Sequence, residues 1–390
     1  MRMQLALLGC FALAHGAAAQ PDTPIDVELE AETVIVITPL SDDEGRADAQ
    51  TLLGELTLKG QAETVLDNGV RVRARARLRV QQDHDQRPGG TGGFGVTPGA
   101  PVGAFSGLSA AGSTENSDLR ARFETAYLQV DGGYGELRIG KDQGVAARFH
   151  EGHKSSLTHA RLDSALLDPS GLATIRTRHY LTGPSVKISY ASPRLIGLRA
   201  GISFTPQADA DGLDRRPAGG TGLSAPDTRN AVEIAVNGSR KFRDNGLRLD
   251  AALAWSSADV QDRGGLAPYA RVETVSAGTR IEKDDWTFGA SYLTSDNGLP
   301  DADYSAWSAG IARSAYDIDW SLSYGEAEDD GARLASRGWR FGGARVFGED
   351  TRIAVAYIND RVQTPFETSQ SQAVVVEITL SEEILKLKGN

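Results

Sequence analysis

Residues 70–80 read Val70-Arg71-Val72-Arg73-Ala74-Arg75-Ala76-Arg77-Leu78-Arg79-Val80. A β-strand sends successive side chains to opposite faces. This stretch therefore has an apolar wall and a wall made of Arg71, Arg73, Arg75, Arg77 and Arg79. Such a row of guanidinium groups does not line a dry core, because each one would need a partner. The basic face meets water. Two architectures satisfy that demand. One is a soluble sheet with its apolar face on a core. The other is a membrane barrel with apolar residues against lipid and arginines in a wet lumen.

The same alternation recurs to the end of the chain. Val186, Ile188 and Tyr190 alternate with Lys187 and Ser189, and Leu198, Ala200, Ile202 and Phe204 alternate with Arg199, Gly201 and Ser203. Later runs centre on Ile234, Leu249, Phe288, Leu322, Val355 and Val376. Each reads as a strand with one apolar face. Short joints such as Asp67-Asn68-Gly69 and Asp244-Asn245-Gly246 suit tight hairpins. Residues 86–117, 206–229 and 261–268 are longer and rich in Gly, Pro, Ser and Asp. Tight turns at one end and long loops at the other mark an outer-membrane barrel. Trp255, Trp286, Tyr292, Trp320, Tyr324 and Tyr357 fall near strand ends, where amphipathic rings form girdles at a bilayer surface.

The N-terminus supplies the compartment. Arg2, the apolar run 5–14 and Ala17-Ala18-Ala19 have the layout of a secretory signal over residues 1–19. The single cysteine, Cys10, lies inside it, so the mature chain holds no disulfide. No later stretch supplies the roughly 18–20 apolar residues of a spanning helix. Without the signal the chain has 40 basic and 52 acidic residues, a net charge of −12. That balance argues against nucleic acid as a partner.

Three segments resemble the Gram-negative porins, particularly the general-diffusion type of alphaproteobacteria. They are Asn68-Gly69-Val70-Arg71-Val72-Arg73-Ala74-Arg75, then Phe123-Glu124-Thr125-Ala126-Tyr127-Leu128-Gln129-Val130 with Gly133-Tyr134-Gly135-Glu136-Leu137-Arg138-Ile139-Gly140-Lys141, and then Ser185-Val186-Lys187-Ile188-Ser189-Tyr190 with Gly197-Leu198-Arg199-Ala200-Gly201-Ile202. The resemblance implies an all-β fold, a transmembrane antiparallel β-barrel of about 16 strands. It also implies a homotrimer in outer-membrane lipid, inserted by the barrel-assembly machinery, with one loop folded into the lumen. That loop is expected at residues 142–174, and its Asp142, Glu151, Asp163 and Asp168 would face the wall arginines. About fifteen strands are clear; the sixteenth is placed near residues 175–181. The expected layout is a signal at 1–19, a periplasmic extension at 20–50, the barrel at 51–380 and a tail at 381–390.

Two features depart from a minimal porin. The chain continues through 381–390 past its closing strand, and it carries an extension before its first one. Within that extension Glu32-Thr33-Val34-Ile35-Val36-Ile37-Thr38-Pro39 resembles a TonB box, the short strand by which active receptors engage their energy-coupling partner.

The expected mechanism is physical sorting with no cofactor and no catalytic residue. Arginines about 7 Å apart along one stave create a field that ranks solutes by charge and size. Arg120, Arg122 and Arg138 extend the cluster, and a mild anion preference follows. Rival site readings are weaker. His150-x-x-His153 with His159 has metal-like spacing without a helical period. Asp209-Ala210-Asp211-Gly212 opens like a calcium loop but has Gly220 where the bidentate Glu belongs. The glycine-rich run 89–95 precedes no helix. A rim hydrolase would need a nucleophile beside His84 or His179, and neither lies in a motif. A substrate-selective or TonB-coupled porin and a surface-attached β adhesin stand as alternatives.

Overall fold

The computed structural model describes residues 24–87, 100–110, 119–208, 226–262, 264 and 267–389. The expected signal, the glycine-rich run 89–95 and the calcium-like segment 209–214 lie outside the described residues. Sixteen antiparallel strands close into one barrel, each paired with its sequence neighbours and β1 with β16. They are β1 (Asp26–Glu44), β2 (Leu52–Val65), β3 (Arg71–Gln82), β4 (Arg120–Gly132), β5 (Gly135–Asp142), β6 (Ser185–Ala191), β7 (Leu198–Gln207) and β8 (Pro226–Lys241). The circuit continues with β9 (Arg248–Asp262), β10 (Val272–Lys283), β11 (Trp286–Ser295), β12 (Tyr304–Ala315), β13 (Ile318–Asp329), β14 (Leu334–Phe347), β15 (Thr351–Gln363) and β16 (Thr368–Leu387). Among the described residues the one helix, α1 (Val145–Arg148), is a single turn.

Closure satisfies every ladder without leaving an edge. Register then decides which face each side chain takes. Arg73 pairs with Glu63 and Arg75 with Gln61 on the inside, while Leu128 pairs with Ile139 and Ile202 with Ile234 on the outside. The outer face exposes Ile139, Ile188, Phe204, Trp255, Tyr292, Trp307, Trp320, Phe341 and Val355 around the circumference. A belt of that extent requires lipid, and it removes the soluble-sheet and adhesin readings. The β12–β13 turn is two residues, Tyr316 and Asp317, both at positive φ (57° and 58°), the signature of a tight primed hairpin. The opposite end carries the long connections 83–119 and 143–184.

The structure departs from the sequence expectations in four places. The expected 20–50 extension contains a barrel strand: Asp26–Glu44 is β1, hydrogen-bonded to β2 on one side and β16 on the other. The TonB-box residues Glu32, Thr33, Val34, Ile35 and Val36 sit in that strand, so both their backbone edges are already used. The tail beyond Leu380 is not free either, because β16 runs to Leu387 and pairs with β1 down to Val27. The sixteenth strand is therefore β1, and residues 175–181 belong to the β5–β6 connection.

The tail extends the β1–β16 ladder with exposed residues, and the misplaced strand has a different physical reason. Val34 and Val36 point inward, yet are covered by Leu157 and Leu167 of that connection in one buried apolar cluster. Their strand is apolar on both faces and loses its period of two. Conversely, Ile175 and Leu181 are apolar because they pack inside the barrel with Phe105 and Tyr304.

Candidate functional site: the lumen

The inner surface divides into two halves. From β1 to β5 it is charged. Glu28, Glu30 and Glu32 alternate along β1, Lys59, Gln61 and Glu63 along β2, and the arginines along β3. The ladder finds its counter-charges on the neighbouring strands. Glu63 takes Arg73 at 2.7 Å and Arg71 at 3.1 Å, Glu32 takes Lys59 at 2.9 Å, and Arg77 lies 3.8 Å from Glu124. Arg79 is fully buried between Glu55 and Glu124 and also donates to Gln81 at 3.1 Å. Arg75 differs, since its Nε donates at 2.6 Å to Gln61, a neutral acceptor. Arg120 and Arg122 stand in register with Gln81 and Arg79, and Arg138 is held at 2.8 Å by both Glu136 and Asp142. In front of this wall lies a cavity of about 590 Å³ lined by Glu28, Glu30, Lys59, Arg75, Arg77 and Asp142 among others.

From β10 to β15 the inner face is small and the 143–184 segment packs on it. A Cβ added at Gly289 would fall 2.6 Å from the His153 Cα, and one at Gly310 would fall 3.0 Å from the His153 Cβ. Leu162 presses the same way on Gly325 and Gly338. Close approach of the segment to the wall is thus written into wall glycines.

Buried polar groups pin the segment in place. Glu377, fully buried, accepts the backbone N–H of Thr158 (2.7 Å), His159 (2.9 Å) and Ala160 (3.0 Å). Ser321 Oγ accepts from Ser156 N at 2.7 Å, and Tyr304 accepts from Arg176 N at 2.8 Å while donating to Thr174 O at 2.9 Å. Glu233 receives Thr182 Oγ1 at 2.6 Å and Ala146 N at 3.3 Å near α1.

The four acids expected to oppose the ladder are engaged locally. Asp142 ends β5 beside Arg138, and Glu151 pairs with Arg280 of β10. Asp163 is buried and takes Arg161 at 2.9 Å, and Asp168 accepts from Ala173 N at 2.9 Å within its own turn. Asp142 therefore shares the first cavity with Arg75 and Arg77 and pairs with Arg138, whereas Glu151, Asp163 and Asp168 have partners away from the ladder, and the inserted segment, 143–184, is longer than 142–174. It also presents cations. Arg161, Arg178 and Arg280 line a second cavity of about 250 Å³ with His150 and His153.

Burial pushes the His150 imidazole down to about 3, with Arg178 adding to it, so it is neutral at neutral pH. Burial opposes ionisation of the Asp163 carboxyl, but Arg161 and the two histidines outweigh it and hold its pKa below the ordinary carboxylate value. His159 lies apart from that cavity, 3.5 Å from Glu55. His179 is buried between Ser256 (2.6 Å) and Ser276 (2.9 Å), a Ser–His contact that solvent does not reach. His84 is likewise buried, with Nε2 2.6 Å from Asp48 O.

A closed barrel with a wet, charged interior and an inserted loop describes a channel, and sequence comparison says which kind. The model of the Gram-negative porin family matches residues 5–364. This chain belongs to that family. The porin is an outer-membrane channel through which small hydrophilic solutes diffuse passively. No curated protein matches it. Solved structures resemble its fold at low identity. Pseudomonas putida OprB at high pH has a TM-score of 0.59 and 9% identity over 92% of this chain and 94% of that one. Salmonella typhi OmpF in complex with daunomycin has a TM-score of 0.57 and 13% identity over 92% and 97%. The anion-selective porin of Comamonas acidovorans has a TM-score of 0.55 and 12% identity over 92% and 98%.

Sequence reasoning missed the acidic row Glu28, Glu30 and Glu32 and the loop-side cations. The first had a signal, because Glu28-Leu29-Glu30-Ala31-Glu32 alternates as strictly as the arginine ladder. Arg161 and Arg178 had none, since irregular loop backbone carries them to Arg280 of β10.

Proposed function

We propose that this channel favours small anions mildly, and that Arg75 is the residue of the ladder that does most to set the preference. The carrying observation is its partner. Arg71, Arg73, Arg77 and Arg79 have carboxylates at their side, whereas Arg75 donates to Gln61 and keeps its full charge at the cavity wall. The acidic row on β1 stands about two strand spacings away, roughly 10 Å, and limits the preference by drawing cations along a parallel track. Reversal potentials under a salt gradient in a planar bilayer test this. Arg75→Gln lowers the anion-to-cation permeability ratio by about twofold, and an unchanged ratio refutes the assignment.

The barrel-assembly machinery is the proposed route of insertion after export on the 1–19 signal. The proposed assembly is a homotrimer. Its support is an asymmetry of the outer face: β16, β1, β2 and β3 contain no aromatic residue, while β11 to β15 carry Trp286, Tyr292, Trp307, Trp320, Trp339 and Tyr357. Girdle residues belong at lipid, so the face without them is the one assigned to neighbouring subunits. Ala76→Trp on that face should dissociate the detergent-solubilised oligomer, as read by light scattering, whereas a trimer that persists speaks against this face.

A further inference from the structure

We propose that the pocket walled by three passes of the 143–184 segment and by Arg280 is a binding site for a compact oxyanion, a carboxylate or a phosphate, with Arg178 as its principal contact. The proposal deepens the anion preference argued above and rests on the chain being a conducting channel.

Three guanidinium groups converge on a cavity of about 250 Å³, space for about eight waters at ~30 Å³ each. Two of them are balanced. Arg161 is held by Asp163, through Nε at 3.2 Å and Nη2 at 2.9 Å, and Arg280 pairs with Glu151. Asp163 also accepts from Thr177 at 3.3 Å, so its charge is spent inside the segment. Arg178 has no acidic partner among the described residues. Its backbone N donates to Ser164 Oγ at 3.3 Å, and among the described residues its guanidinium makes one long hydrogen bond, Nε to Ala147 O at 3.4 Å, and lies 5.2 Å from the centre of the Tyr180 ring. Stacking of that kind fixes the plane of the fork while leaving its Nη donors to a ligand.

A second observation points the same way. Arg280 Nε is buried on a residue that lines this pocket and among the described residues has no hydrogen-bond partner, whereas His153 Nε2 already faces Asp163 at 3.5 Å. Buried donors without acceptors are costly. An oxyanion seated beside Arg178 supplies acceptors to the cations around it, by the forked geometry that guanidinium groups offer to carboxylate and phosphate.

Single-channel recording of the purified full-length porin in potassium chloride tests this, with inorganic phosphate or malonate as the probe and glycerol as the uncharged control. Wild-type current should fall along a saturating curve with either probe and stay level with matched glycerol. Arg178→Gln should raise the half-blocking concentration about tenfold, the loss of one charge-assisted contact, with chloride conductance held within about twofold. Arg178→Lys should fall between the two, and Arg243→Gln, an exposed arginine in the β8–β9 turn away from the lumen, should leave the half-blocking concentration where it was. A linear dependence on probe, equal block in Arg178→Gln, or equal loss in Arg243→Gln overturns the site. A bilayer that never conducts overturns the channel reading as well, so the two failures are told apart.

Discussion

The β1–β5 wall and the β10–β15 wall enclose the same lumen and are built on opposite rules. The first keeps long charged side chains and satisfies them sideways, strand to strand: Lys59 on Glu32, Arg73 on Glu63, Arg79 between Glu55 and Glu124. The second gives up side chains altogether at Gly289, Gly310, Gly325 and Gly338 and lets the inserted segment press onto its backbone. Charged side chains that satisfy each other within the sheet leave water in front of them. Small ones invite a filling. The open pathway therefore runs along the charged wall because the other wall is occupied, and selectivity and bore are set by different halves of the molecule.

That division predicts its own failures. Enlarging the bed should act on bore. Gly289→Leu drives a side chain into Gly152 and His153, overpacking that costs about 1–3 kcal/mol, and displaces the segment. Single-channel conductance should then rise by about twofold or more, with the reversal potential little changed. Equal conductance in the variant would mean that the segment does not narrow the pathway. Glu377→Ala, next in size, removes the acceptor of three backbone N–H groups, of which the two buried ones, on His159 and Ala160, each cost about 1–3 kcal/mol when orphaned. The segment should become protected less well against hydrogen exchange around 156–160 while β16 stays protected, and equal protection would show that Glu377 is not the pin.

Acid should loosen the same docking. Burial pushes His179 down to about 4, against the opposing pull of Glu233. A histidine whose pKa is lowered on folding contributes stability that is full above its unfolded value of ~6.5 and is lost as pH falls from there towards 4. Open-channel noise should grow across that window, by a weakening of up to a few kcal/mol, and His179→Gln should flatten the dependence. Noise that is independent of pH over the window would separate His179 from the docking.

How legible this was in the sequence follows the same division. Where a strand faces lipid outside and water inside, its period of two is intact, and the arginine ladder of β3 or the run Ser185–Ala191 could be read directly. Where the inserted segment covers the inner wall, the pattern is erased, as at Val34 and Val36 of β1 beneath Leu157 and Leu167. That is why β1 resembled a separate docking strand and why the strand count was completed in the wrong place. Charge pairing was harder still. The ladder was visible residue by residue, but its partners come from β2 and β4 through register, and register across β3–β4 includes a bulge at Arg77/Leu78 that brings Glu124 to Arg79. The loop acids were visible as acids only; what each one touches depends on irregular backbone.

The smallest effects sharpen the contrast from the charged side. Lys59 and Glu32 form a partly exposed pair at 2.9 Å on the open wall. In water such a pair is worth roughly 0–1 kcal/mol, so Glu32→Gln should barely change thermal or denaturant stability. It nevertheless removes one carboxylate from the acidic row and frees Lys59 at the cavity. The anion-to-cation permeability ratio should therefore move up, in the direction opposite to Arg75→Gln and by less. Salt distinguishes this from a packing effect, because the change between exposed charges shrinks once the Debye length falls to about 3 Å near 1 M. A shift in selectivity of the same size at low and high salt would mean that the wall acts by shape, and the separation of bore from selectivity would no longer hold.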